Sequence, residues 1–83
     1  MTTDRETLAV TVMGLLRAIA PELDPDTLDR ARSLRSQVDL DSMDWLNFLV
    51  SLHERLGVNI PEVDYARLVS FNDVLDYLVG KRG

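Results

Sequence analysis

Between Asp39 and Gly57 the sequence carries every signal of one helix, together with one apolar line more than that helix can hide. Asp41 is a good N-cap, Asp44 stands three residues on where an acid favours the helix dipole, and Gly57 sits where a residue of positive φ would end the run. The helix therefore starts at Ser42. Trp45, Phe48, Leu49, Leu52 and Leu56 recur at helical spacing and predict a core stripe. Met43, Leu46 and Val50 form a second line well round from it. In a chain of 83 residues one helix cannot bury both sides, so the second line is expected at the surface. Exposed apolar residues beside a serine suggest a docking face.

The remaining segments are read around that helix. Thr3 with Glu6 fits a capping box, and Leu8, Val12, Leu15, Leu16 and Ile19 follow at helical spacing until Pro21, predicting a helix over about residues 4–19. Pro21, Asp24 and Pro25 open a connection of about twenty residues, long enough to signal function, disorder or an unrecognised element. Leu28, Leu34 and Val38 are expected to pin it to the core, with one helical turn starting at Pro25. After Gly57, Ile60 and Pro61 lead into a short helix of barely two turns, with Pro61 near its first turn and Tyr65 and Leu68 able to reach inward. Ser70 with Asp73 then caps a last helix through Phe71, Val74, Leu75 and Leu78, expected to end at Gly80 with Lys81 and Arg82 favourable to its dipole. No segment shows strand alternation. The expectation is a single all-α domain over residues 1–83, a bundle of three longer helices and one short, with a long loop after the first.

Composition narrows the function. A net charge of −5 and a pI near 4.6 argue against nucleic acid, whose phosphates need a basic face, and favour basic protein partners. With no cysteine there is no disulfide or thiolate zinc site, so any thiol chemistry must be imported. The start lacks the pattern of a signal peptide and no apolar run reaches membrane-spanning length, which makes a soluble cytoplasmic protein the expectation; a monomer is expected as well. Arg30, Arg32 and Arg35 cluster in the long connection. Their plain reading is a solvated loop face, and their functional one a partner contact.

Two chemistries fail on spacing. Ser42 as a nucleophile needs a base within hydrogen-bond reach, yet His53, the sole histidine, lies along the same helix about 16 Å away at ~1.5 Å per residue. His53 itself reads as a surface residue on the flank of the helix. A calcium loop counted from Asp39 would need glycine and glutamate where Asp44 and Val50 stand, so no metal site is expected. Ser42 is better placed as an acceptor, since the unpaired N–H groups of a first helical turn help satisfy phosphate oxygens.

Asp41-Ser42-Met43 at a helix start, followed in order by Glu54-Arg55-Leu56-Gly57, Val58-Asn59-Ile60-Pro61, Tyr65 to Leu68 and Val74-Leu75-Asp76-Tyr77-Leu78, resembles the phosphopantetheine-bearing region of acyl carrier proteins. Asp39 stands where that family usually has glycine, and Met43 replaces its usual leucine, a variant common in carriers of D-alanine. The resemblance implies a four-helix carrier bundle that is not an enzyme. It implies that a phosphopantetheinyl transferase, using Mg²⁺, moves 4′-phosphopantetheine from coenzyme A to Ser42 beside the acidic Asp41, and that the arm's thiol carries cargo as a thioester. It further implies docking of acyl-loading, ketosynthase or acyltransferase-type enzymes near the arm. Met43, Asp44, Leu46, Asn47, Val50 and Glu54 are the candidate contacts. Fatty-acyl, polyketide, aminoacyl and D-alanyl cargo all remain open, and the bulk of Trp45 is expected to restrict any deep cavity for them. The rival reading is a carrier-like interaction module that needs no modification.

Overall fold

Leu8, Val12 and Leu16 repeat every four residues and are sealed from solvent, and the helix that this spacing dictates is α1, Asp4–Ile19. The computed structural model describes residues 4–82. The expected Thr3–Glu6 capping box involves a residue outside that range. A final bond from Ala20 N–H to the Leu16 carbonyl at 2.9 Å closes α1 before Pro21.

The long connection is ordered by its own polar groups rather than by a helix at Pro25. There the chain makes a turn: the Asp24 carboxylate accepts from Asp26 N–H at 2.9 Å, and its carbonyl accepts from the N–H groups of Thr27 and Leu28, each at 3.2 Å. The helical turn lies further on, as α2, Leu34–Gln37. Leu34 and Val38 are buried and Leu28 packs against the core half-buried, so the three expected pins hold. The Gln37 side chain receives Asp29 N–H at 2.8 Å and donates to the Asp29 carbonyl at 2.7 Å. Beyond it, Leu34 N–H bonds to the Val69 carbonyl at 2.9 Å and Asn72 N–H to the Arg30 carbonyl at 3.0 Å, while Ser33 and Ser70 form an isolated antiparallel bridge. The connection is thus stitched to the distant start of the last helix.

The central helix, α3, spans Ser42–Leu56 and ends on Gly57 at φ 68°, as the sequence requires. A 3₁₀ helix follows, Glu62–Arg67. It begins directly after Pro61, whose fixed φ suits a helix start as expected, and Leu68 lies just past its end rather than within it. No residue within it is buried, but Leu68 is, and Tyr65 packs against the core half-buried. The last helix, α4, spans Phe71–Arg82. Ser70 and Asp73 cap it reciprocally: Ser70 N–H donates to Asp73 Oδ2 at 3.0 Å, and Asp73 N–H to Ser70 Oγ at 3.1 Å. It does not stop at Gly80. Glycine ends a helix only where the chain turns left-handed, and here it continues, with Lys81 lying 5.5 Å from the Tyr77 ring one turn back.

α1 packs against both α3 and α4. Leu8, Val12 and Leu16 meet Phe48 and Leu52 of α3 and Phe71, Leu75 and Leu78 of α4 in one apolar cluster. Arg5 pairs with Asp76 across the α1–α4 contact. Among the described residues there is no strand, no helix long and apolar enough to cross a membrane, and no group of three or more metal-ligating side chains.

Candidate functional site

Asp41 determines the geometry at the start of α3. Its backbone is extended, its carboxylate accepts from Asp44 N–H at 2.8 Å, and its carbonyl receives Trp45 N–H at 3.0 Å. Because Asp41 performs the capping, the neighbouring Ser42 is spared. Ser42 is exposed, and its hydroxyl has no hydrogen-bond partner among the described residues. The amides of Ser42 and Met43 come before the first intrahelical bond, which leaves two donors and the positive end of the α3 dipole beside that hydroxyl.

Following Ser42 around α3, the second apolar line lies outside as expected. Met43 is 65% exposed, Leu46 41% and Val50 44%, whereas Phe48, Leu49 and Leu52 are buried and Trp45 and Leu56 are half-buried against the core. Trp45 leans on Phe48 with ring centroids 5.4 Å apart. Asn47 and Glu54 are exposed and, by helical spacing, fall on the side of α3 that carries Met43, Leu46 and Val50, whereas Asp44 is half-buried on the opposite flank.

One participant was not evident from the sequence. His53 is exposed, as expected of a surface residue, but its Nδ1–H donates to the Val58 carbonyl at 2.9 Å and clamps the chain just past Gly57. His53, Leu49 and Val50 form one wall of a cleft of about 200 Å³, with Asn59, Ile60 and Tyr65 opposite. The available signal was position: a histidine in the last turn of a helix is placed to bind freed or downstream carbonyls. The Arg30 guanidinium lies 5.2 Å from the Phe71 ring at the start of α4, and Arg32 and Arg35 are exposed.

The family model described as "Phosphopantetheine attachment site" matches residues 8–78, from the first core turn of α1 to the last of α4. The chain belongs to the acyl carrier protein family. It is similar to the acyl carrier protein of Thermosynechococcus vestitus, 30% identical over 59 residues that cover 71% of this chain and 73% of the relative. It is also similar to that of Renibacterium salmoninarum, 28% identical over 80 residues and 94% of each chain. Acyl carrier proteins are carriers rather than enzymes and bear covalently attached 4′-phosphopantetheine, working with phosphopantetheinyl transferases and biosynthetic enzymes. An exposed, unengaged hydroxyl at a capped helix start fits that group, with free first-turn amides beside it and no thiol in the chain to compete.

Proposed function

We propose that Ser42 is the attachment point of the arm and that the chain, as one carrier domain, shuttles acyl or aminoacyl intermediates between cytoplasmic enzymes of fatty-acid, polyketide or related biosynthesis. The observation that carries this reading is the division of labour between two adjacent residues: Asp41 holds the cap, which leaves the Ser42 hydroxyl exposed and unengaged. Ser42 Oγ attacks the phosphorus that bears the pantetheine arm of coenzyme A, the pyrophosphate bond breaks with adenosine 3′,5′-bisphosphate leaving, and the transferase supplies the Mg²⁺ and the base that takes the hydroxyl proton. The attached arm supplies the thiol that this cysteine-free chain lacks. Asp41 keeps the first turn in register during the transfer and offers an acid to the transferase. Met43, Leu46 and Val50 give partner enzymes, of acyl-loading, ketosynthase or acyltransferase type, an apolar grip beside the arm, with Asp44, Asn47 and Glu54 supplying polar contacts.

Intact mass after incubation with coenzyme A and a broad-specificity transferase tests the reading. The protein should gain the mass of one phosphopantetheine, and Ser42→Ala should gain none while still melting cooperatively. No gain by the wild-type chain would leave an unmodified interaction module. A gain by the Ala variant would put the attachment elsewhere.

A further inference from the structure

On the exposed side of α1, Val10, Gly14 and Ala18 follow one another at four-residue spacing and share a face. Val10 is 75% exposed, one of the most exposed large apolar side chains among the described residues. Gly14 lies well inside the helix, where glycine is destabilising relative to alanine. Nothing among the described residues calls for it: beyond its own helix backbone, a Cβ added there meets no atom within 4 Å, and its φ is not positive. Between this face and the long connection runs a groove of about 330 Å³, lined by Val10, Met13, Gly14 and Pro25, with Arg17 and Arg30 also in its lining.

The two arginines are unusual in a chain of net charge −5. Neither has a carboxylate partner among the described residues, where the ion pairs are Arg5–Asp76 and Arg67–Asp64. Arg30 is held in place by the Phe71 ring and by its own carbonyl, which accepts Asn72 N–H. Glu6 lines the groove toward the start of α1, so the charge along it is polarised, acidic early and basic late.

We propose that the α1 groove is a second docking surface, for an amphipathic helix of a partner protein that lays its apolar ridge over Gly14 and sets an acidic side chain against Arg17 and Arg30. Charge complementarity selects that occupant, because the rest of this acidic chain repels such a helix while the two unpaired guanidiniums attract it. The missing side chain at Gly14 leaves a gap between Val10 and Ala18 into which a helical ridge fits. None of these residues belongs to α3, so the groove is independent of the Ser42 surface and of its modification.

The test uses the full chain, isotope-labelled for amide resonances, and a synthetic helix of about 20 residues, long enough to hold its fold, with an alanine-leucine face flanked by glutamates. The expected result is shifts at Val10, Gly14, Arg17 and Arg30 with none at Met43 or Val50. A glutamine version of the peptide should bind at least about tenfold more weakly, and added salt should weaken the glutamate version. Gly14→Leu should lose at least about tenfold in affinity while melting no lower than the wild type, a combination that a purely structural glycine does not give. Arg17→Glu should weaken binding in the same way. Shifts centred on α3, equal binding of the glutamine peptide, or unchanged binding by Gly14→Leu would each overturn the proposal. So would a groove that ignores the peptide but responds to anionic phospholipid vesicles, or one whose resonances move only with the concentration of the chain itself.

Discussion

Tyr77 donates its hydroxyl to Asp64 Oδ2 at 2.6 Å, tying α4 to a 3₁₀ helix that buries no residue of its own. Burial first, then that bond and the nearby Asp64 charge, push the phenol up to about 12, with Arg67 pulling the other way. The neutral phenol is the form that the fold prefers.

The pH dependence follows from the sign of that shift. A phenol whose folded value lies above its ordinary 10.0 contributes stability that is complete below pH 10 and lost as pH rises through about 12. In urea melts across that window the wild type should lose stability relative to Tyr77→Phe, which has no ionisable group there. Parallel curves for the two proteins would mean that neither burial nor Asp64 raises the folded phenol above its ordinary value.

Asp41→Ala removes the carboxylate that holds Asp44 N–H and should cost about 0.5–2 kcal/mol by denaturant unfolding. It should also slow arm transfer to Ser42. Normal transfer by the destabilised variant would restrict Asp41 to the cap.

The exposed line on α3 gives a test that separates docking from folding. Met43→Ala and Val50→Asp alter side chains outside the buried core, so melting should shift little. Transfer to partner enzymes should fall, because truncated interface anchors cost more than about 1 kcal/mol. With His53 and Asn47 interrupting the acids of this helix, the docking should depend on apolar burial more than on salt. Unaltered transfer by both variants would move the grip off α3.

Gly57→Ala isolates backbone strain. An added Cβ meets nothing within 4 Å, yet the residue holds φ 68°, so the cost of about 1–2 kcal/mol comes from the left-handed conformation alone. Thermal melts should show that loss, with Gly57→Asn milder.

The central helix was legible because each of its signals is local: Asp41 and Gly57 act within a few residues, and the two apolar lines are matters of spacing. The Ser70–Asp73 cap was legible for the same reason. What escaped depends on distance or on brevity. α2 carries only Leu34 as a buried residue, and its position is set by Val69, which no local pattern reveals. Gly80 looked like a terminator, but whether a glycine ends a helix depends on what the following residues contact, here Lys81 against Tyr77. On the candidate site, Ser42 and its exposed line could be read from sequence, whereas the His53–Val58 clamp and the cleft it borders required the chain reversal after Gly57 to be seen.

The bonds that join Arg30 to Asn72 and Leu34 to Val69 link positions roughly forty residues apart, and closing a loop of that length costs entropy that grows with the logarithm of its size. In kinetic terms such contacts wait for the helices to collapse, while α3, capped by its own residues at both ends, can begin without them. The connection that leads to Ser42 therefore takes its native course late in folding and gives it up early. Amide exchange should show this as an opening free energy at Leu34 and Asn72 lower than that of Phe48 to Leu52. Ser42 thus stands at a kinetic seam, with a locally specified helix on one side and a connection held by long-range contacts on the other.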